Sequence, residues 1–397
     1  MQDTPKGNRI HVAFFGKRNA GKSSVVNTIA NQQVSIVSNV AGTTTDPVYK
    51  AMELFPIGPI MLIDTAGLDD VGDIGNLRIE KTKEIMDKTD IAVIVIDCRN
   101  NDLEFEKYIK NELSKRKIPI ILVLNKIDKI DNLNESIKFV KENLNMDPVK
   151  ISALEIKNID KLKEEIIKQV PSSNEITLLD GMVKKNDLVL LITPQDIEAP
   201  KGRLILPQVQ VLRDILDKEA MAMVLKDTEL EEGLKNLSKK PDLVITDSQV
   251  FNKIKDIIPK DVKLTSFSIL MARYKGDINL LIEGANSIKN LRPGDNILIS
   301  EACTHHSLKG DIAKEKIPQL LKKKIGGEVN IDFSSGEDFP KNIEEYKLII
   351  HCGGCMINRK QMINRLNKAK ENNVPITNFG VVLAYLNGIL DRVSEVF

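Results

Sequence analysis

Four cysteines in 397 residues are too few for a disulfide framework, which points away from the small secreted scaffolds that depend on one. Neither sign of charge is in excess: 57 Lys+Arg against 56 Asp+Glu leave a formal net charge of +1. Broad nonspecific nucleic-acid binding relies on a surplus of cations to neutralise phosphates, so no nucleic-acid partner is expected. Long apolar runs are also missing. None approaches the roughly 18 residues needed to cross a bilayer, and the longest are strand-sized, such as Ile91–Ile96. The polar stretch Met1–Arg9 lacks the apolar segment of a secretory signal. A cytoplasmic protein without a membrane partner is the expectation. What is present is enough apolar material, 42% of residues, to fold. At roughly 150 residues per domain, two or three domains are expected.

The first third carries a nucleotide motif. The strand-like run Ile10–Phe15 leads directly into Gly16-Lys17-Arg18-Asn19-Ala20-Gly21-Lys22-Ser23, and the helix-like Ser24–Ala30 follows. This is the phosphate loop in the strand–loop–helix context it requires. Gly16 and Gly21 let the backbone curl so that N–H groups, those of Ala20 and Ser24 among them, converge on phosphate. Lys22 is placed to reach the outer phosphates and Ser23 to ligate Mg²⁺. Further on, Ile60–Ile63 runs into Asp64-Thr65-Ala66-Gly67, where Asp64 would hold Mg²⁺ through water and the Gly67 N–H would sense the terminal phosphate. Gly42-Thr43-Thr44-Thr45-Asp46 lies between the two, where a first switch loop belongs. Asn125-Lys126-Ile127-Asp128 follows a buried-type strand, and Ser152-Ala153-Leu154 comes later. A carboxylate at Asp128 accepts from two guanine N–H groups that adenine does not offer, with the Ser152–Ala153 backbone supporting the guanine carbonyl. In this order the motifs predict a GTP-binding, GTP-hydrolysing domain.

Residues 10 to about 170 resemble the translation-factor-like GTPases of the Era and TrmE group. Most switch GTPases follow Asp-x-x-Gly with a glutamine that orients water, but Leu68 stands here and makes no hydrogen bond. The resemblance implies another device: a K⁺ held partly by Asn19, with Thr44 as the switch-loop Mg²⁺ ligand. The alternative is that Asn19 only accommodates an unusual backbone angle. Cys98, at the end of the strand Ile91–Asp97, reads as packing.

Beyond the break Val170–Asn174, strands alternate with helices: Asp187–Thr193, Gln208–Lys218, Asp242–Thr246 and Ser248–Ile257. That rhythm predicts a parallel sheet covered on both sides. Residues 174–265 hold no histidine or cysteine and no catalytic constellation, so self-association is the expected role.

The last third gathers Cys303, Cys352 and Cys355 with His305, His306 and His351. Glu301–His306 follows the strand-like Asp295–Ser300, and His351-Cys352-Gly353-Gly354-Cys355 follows Tyr346–Ile350. Both groups thus fall beyond strand C-terminal ends, which share one edge in an open parallel sheet. Three chemistries compete on the residues alone. A Cys-x-x-Cys redox pair leaves Cys303 unused. Zinc held by three cysteines and a histidine and an iron–sulfur cluster on three thiolates both fit.

A GTPase domain followed by Cys303-Thr304-His305 and, much later, His351-Cys352-x-x-Cys355 resembles the [FeFe]-hydrogenase maturation GTPases. The segments Ala199–Gln208 and Met271-Ala272-Arg273-Tyr274-Lys275-Gly276-Asp277 look like signatures of the same family. The resemblance implies three α/β domains: a doubly wound phosphate-loop GTPase over 1–171, a dimerisation domain with a parallel sheet over 172–265, and a cluster-binding domain over 266–397. It also implies a [4Fe–4S] cluster on Cys303, Cys352 and Cys355, with His305 and His351 as possible fourth ligands or supporting groups. The implied task is to scaffold and carry a diiron precursor built by two radical maturation enzymes, and to deliver it to apo-[FeFe]-hydrogenase. A tRNA-modification or ribosome-assembly GTPase, and a zinc-containing regulatory GTPase, are the competing readings.

Overall fold

The structure, a computed structural model, describes residues 4–31, 39–40, 47–65, 81–170, 177–194, 204–302, 311–336, 339–340 and 342–397. It divides into two compact units, 1–174 and 175–397. No helix among the described residues is long and apolar enough to cross a membrane.

The first unit is built on one sheet. Its strands are β1 (Ile10–Phe15), β2 (Asn39–Val40), β3 (Val48–Leu54), β4 (Gly58–Asp64), β5 (Ile91–Asp97), β6 (Ile120–Asn125) and β7 (Val149–Lys150), in the spatial order β2-β3-β4-β1-β5-β6-β7. The pairs from β4 through β7 are parallel, whereas β2, β3 and β4 pair antiparallel. β5 is apolar at six successive positions because helices cover both its faces, as a parallel interior strand requires. Helices α1 (Lys22–Asn31), α2 (Glu104–Lys115), α3 (Leu133–Leu144) and α4 (Ile159–Lys168) supply that cover. The register sets Phe14 beside Asp64 and Asp97 beside Asn125. The carboxyl ends of β1, β4, β5 and β6 therefore form one edge, where ligand crevices arise.

The second unit holds two parallel sheets. The first contains β8 (Leu188–Ile192), β9 (Met221–Leu225), β10 (Leu243–Thr246) and β11 (Lys263–Ser266), in the order β11-β10-β8-β9. The other contains β12 (Asn296–Glu301), β13 (Asn330–Ser335), β14 (Leu348–His351) and β15 (Ile376–Asn378), in the order β13-β12-β14-β15. The first sheet carries α5 (Leu206–Asp217), α6 (Leu230–Lys235) and α7 (Phe251–Ile254). From β11 the chain passes through α8 (Phe267–Lys275) and α9 (Ile278–Asn286) to the second sheet. That sheet carries α10 (Ile317–Ile325), α11 (Arg359–Glu371), α12 (Phe379–Leu386) and α13 (Leu390–Ser394).

One apolar core joins the two sheets: Leu190, Val244 and Leu264 belong to the same cluster as Leu298, Ile349 and Ile376. Helix α8 lies between them. Ile269 and Ala272 face that shared core, while Phe267, Leu270 and Met271 face a second cluster with Leu191 and Ile245. Helix α12 is buried from Phe379 to Ala384, so an amphipathic pattern would be out of place in it, and it has none.

Candidate functional sites

The nucleotide loop connects β1 to α1. Gly16 and Gly21 take φ of 149° and 92°, and Asn19 sits in the left-handed region at φ 61°. A Cβ on Gly16 would stand 2.3 Å from the Val95 carbonyl oxygen, so glycine is demanded by close approach as well as by angle. Lys22 is buried, and its Nζ donates to the Gly16 and Lys17 carbonyls at 2.9 and 3.0 Å. Those carbonyls hold the ammonium over the loop that phosphate would enter. The Ser23 hydroxyl hydrogen-bonds the Asp64 carboxyl, whose acidity is weakened mainly by burial. Among the described residues Asp64 Oδ1 has no hydrogen-bond partner, and it is buried. A hydroxyl beside an unsatisfied carboxylate oxygen suits a hard, oxygen-seeking cation, so these two residues fit Mg²⁺. Thr44, Gly67 and Leu68 lie outside the described residues.

At the base end, the side chain of Asn125 is used twice. It donates to the Ala20 carbonyl at 3.0 Å and accepts from the Ala153 N–H at 3.1 Å, tying the phosphate loop to the guanine loop. Lys126 reaches over the same loop to the Asn19 carbonyl at 2.5 Å and to Asp97 at 2.9 Å. Asp97 is held far below the usual carboxylate range: Arg99 and Lys126 outweigh the opposing effect of burial. The Ser152 hydroxyl donates to Asp128 at 2.6 Å and lowers its pKa, which keeps an acceptor carboxylate ready for guanine. Ser24, at the start of α1, is exposed. Cys98 is buried, with Sγ 3.0 Å from the Lys126 carbonyl, in keeping with a packing role.

The second site lies in the other unit. β12 and β14 are neighbours, with Ser300 opposite His351. The Cys352 N–H donates to the Ser300 carbonyl at 2.8 Å, and the Ala302 N–H donates to Cys352 Sγ at 3.1 Å. The backbone thus brings Ala302, one residue before Cys303, onto the Cys352 sulfur. Cys303, His305 and His306 lie outside the described residues. The Gly354 N–H also approaches Cys352 Sγ, at 3.4 Å, and Gly354 takes φ 62°. Burial raises the Cys352 thiol to about 11 despite those two N–H groups.

Cys352 and Cys355 open onto a cavity of about 250 Å³. Five strand ends meet there: Asp247 follows β10, Ser268 follows β11, Glu301 ends β12, Cys352 follows β14 and Gly380 follows β15. The crevice thus belongs to both sheets, and the edge rule operates on each of them. Among the described residues no group of three or more His, Cys, Asp and Glu gathers at metal-binding distance.

His351 is fully buried, and both its ring nitrogens are engaged. Nδ1 lies 2.7 Å from the Cys352 carbonyl and Nε2 lies 2.8 Å from Arg365 Nη1. Because guanidinium only donates, Nε2 accepts and Nδ1 carries the proton. Burial, reinforced by the Arg365 charge, lowers the His351 pKa to about 3 and keeps the ring neutral. Lys275, at the end of α8, is 1% exposed and donates to the carbonyls of Gly354, Cys355 and Ile357 at 2.8, 3.3 and 2.5 Å. Burial pulls its pKa down to about 8, against the opposing effect of the Cys355 and Cys352 sulfurs. Neither Arg365 nor Lys275 was singled out by motif chemistry. Lys275 falls inside the segment Met271–Asp277, yet nothing local says that its ammonium turns inward.

Comparison with known proteins adds the family. Residues 178–276 match the model described as the hydrogen maturase F dimerization domain, and residues 279–396 match the hydrogen maturase F tetramerization domain. The chain belongs to the hydrogen maturase F family. Its first unit is a GTPase domain, with residues 11–126 matching a model described as a 50S ribosome-binding GTPase. The family's two oligomerisation models together run through the second unit. Among curated relatives, GTPase Der of Nautilia profundicola is 36% identical over 170 residues, 40% of this chain and 36% of its own length. GTPase Der of a Nitratiruptor strain is 28% identical over 273 residues, 57% of this chain and 58% of its own. The chain therefore spans less than two thirds of these relatives. Aquifex aeolicus Era bound to GDP·AlF4− shares 22% identity, with 54% of this chain and 92% of that one covered at a TM-score of 0.35. Era in complex with MgGDPNP and a 16S ribosomal RNA segment shares 19%, covering 82% and 92%, also at 0.35. Likenesses at that level carry no functional argument.

Proposed function

We propose that this chain is a GTP-hydrolysing maturation factor for [FeFe]-hydrogenase that holds a [4Fe–4S] cluster on Cys303, Cys352 and Cys355. Its task is to receive a diiron precursor from two radical maturation enzymes and to deliver it to apo-hydrogenase. The observation that carries this reading is the cavity at the joined edges of two sheets, into which Cys352 and Cys355 open and beside which the backbone arrives at residue 302. The donor set suits a thiolate-bound cluster. Two backbone N–H groups already point at Cys352 Sγ, the kind of contact that stabilises a thiolate and tunes an iron–sulfur centre. When bound, a cluster on three thiolates would leave one iron to accept a cyanide or thiolate from the cargo. Around it, Arg365 holds His351, and His351 holds the Cys352 carbonyl. That supports His351 as a strut of the ligand loop rather than a donor to iron.

GTP binding rests on Lys22, Ser23, Asp64 and Asp128, whose geometry is described above. We extend the proposal to K⁺ at Asn19. Its left-handed angle accounts for an asparagine by itself, so the test is turnover: hydrolysis faster in K⁺ than in Na⁺ at equal ionic strength supports the ion site, and equal rates remove it. Self-association is proposed to run through β9, an edge strand of the dimerization segment with Met221 50% and Val224 40% exposed.

The deciding experiment is anaerobic reconstitution with iron and sulfide, read by absorption and EPR beside Cys352→Ser and Cys355→Ser. A reducible [4Fe–4S] signal that the variants lose supports the proposal. Tightly held zinc with no such signal would replace it with a zinc-containing GTPase.

A further inference from the structure

Lysine is among the residues least often found fully inside a protein, and a buried ammonium without an anion costs several kcal/mol. Lys275 is such a group. Its three N–H donors are spent on the carbonyls of Gly354, Cys355 and Ile357, and it forms no ion pair with a carboxylate among the described residues. Carbonyl dipoles offset part of the cost but bring no net charge. Among the groups able to bring negative charge, the Cys352 and Cys355 thiols sit on the loop whose carbonyls Lys275 holds. The chain thus fixes a cation behind the one loop that presents two thiols to the cavity.

Two helix starts at the cavity agree in sign. Ser268 is the second residue of α8 and Gly380 the second of α12, so two helices of nine and eight residues begin at its wall. Their N-terminal dipoles favour negative charge. Three carboxylates, Asp247, Glu301 and Asp311, also line it and act in the opposite sense; Asp247 accepts from the Gln249 N–H, and Asp311 Oδ1 from those of Ala313 and Lys314.

We infer that Lys275 is the built-in counter-charge of the thiolate-bound centre, a positioning residue that shapes the 354–357 backbone and raises the centre's reduction potential. The inference rests on the proposed function and adds a residue outside the three-cysteine set. The reasoning is electrostatic. Reduction adds one negative charge to a centre that is already anionic, and a fixed cation in a low-dielectric interior stabilises the more negative state.

The test uses the full chain, reconstituted without oxygen, as wild type, Lys275→Gln and Lys275→Arg. Iron and sulfide are counted, and midpoint potentials are measured by EPR-monitored redox titration. The expected result is a Gln variant whose potential is more negative than wild type, with the Arg variant near wild type. A Gln variant that loads fully and keeps the wild-type potential overturns the inference, because Lys275 would then be packing alone. If the Gln variant takes up no iron, the Arg variant decides. Loading at the wild-type potential supports the charge, and failure to load shows that lysine's shape was what mattered. A wild-type protein that takes up no cluster sinks the proposed function itself, and this inference with it.

Discussion

In the nucleotide loop a lysine that is 6% exposed lies 2.9 Å from Gly16 O and 3.0 Å from Lys17 O. In the cysteine loop a lysine that is 1% exposed lies 2.8 Å from Gly354 O and 3.3 Å from Cys355 O. Both loops follow the carboxyl end of a parallel strand, contain a glycine at positive φ and precede a helix. On the proposed reading each is an anion receptor built from backbone and one ammonium. The difference is where the ammonium comes from. Lys22 belongs to its own loop, six residues from Gly16, whereas Lys275 reaches Gly354 across 79 residues. A receptor closed within one loop is a motif, and a receptor closed by a distant helix is a fold.

The sharpest way to break that comparison is to remove each ammonium and ask whether the losses stay separate. Lys22→Met should lower GTP turnover by on the order of 10²–10³-fold, the scale seen when one preorganised donor to developing charge is lost. Its iron content after reconstitution should match wild type. Loss of iron in Lys22→Met would mean that the two receptors are not independent.

How much of each receptor could be read beforehand follows from the same contrast. Gly16, Gly21, Lys22 and Ser23 announce themselves because spacing alone sets their geometry. β5, β6, β8, β10, β12 and β14 are legible as apolar runs, since both faces are covered. β13 (Asn330–Ser335) is not, because as an edge strand it is polar and half-exposed, and β15 is three residues long. The shared cavity was half legible. Cys352 lies past a strand end, as expected, but no local pattern says that β10 and β11 of another sheet end at the same place. Asn125 is legible as part of the guanine motif, but the fastening of one loop to another by its amide is not. Arg365 and Lys275 look like surface residues until the fold turns them inward.

A second prediction concerns specificity, which only the first receptor should show. Asp128→Asn replaces a two-fold acceptor with one acceptor and one donor, matching xanthine rather than guanine. GTP affinity should fall roughly 10²-fold, with xanthosine triphosphate recovering turnover. Undiminished GTP affinity would show that Asp128 does not read the base.

Gly354→Ala is expected to be smaller and confined to the second unit. The residue sits at φ 62°, and a Cβ there would stand 2.4 Å from Met362 Cε and 3.3 Å from Ile357 Cγ1. Met362 can swing away, so what remains is backbone strain and a shifted loop, about 1–3 kcal/mol. A lower melting temperature of the second unit and reduced iron uptake, with normal GTP turnover, would bear this out. Unchanged melting and iron content would mean that the 352–355 loop tolerates reshaping, and a rigid receptor would no longer be the right description.

The comparison extends to the sheet edges, and there the effect is smallest. In the first unit the edge strands β2 and β7 are two residues each, and β7 carries the exposed Lys150. Short, charged edges discourage pairing with another chain. In the second unit two of the four edges, β9 and β13, run five and six residues, with Met221 50%, Val224 40% and Phe333 48% exposed. Met221 and Val224 differ by an odd number of positions, so β9 offers apolar surface on both faces. On the proposed reading a second copy covers this long, apolar edge, which lies in the segment that matches a dimerization domain. Val224→Lys should raise the dimer dissociation constant by about tenfold, the cost of one ordinary interface residue, without changing the melting of the GTPase unit. Sedimentation across a concentration series measures it. An unchanged dissociation constant would move the interface off β9, and β13 would then be the edge to mutate, through Phe333.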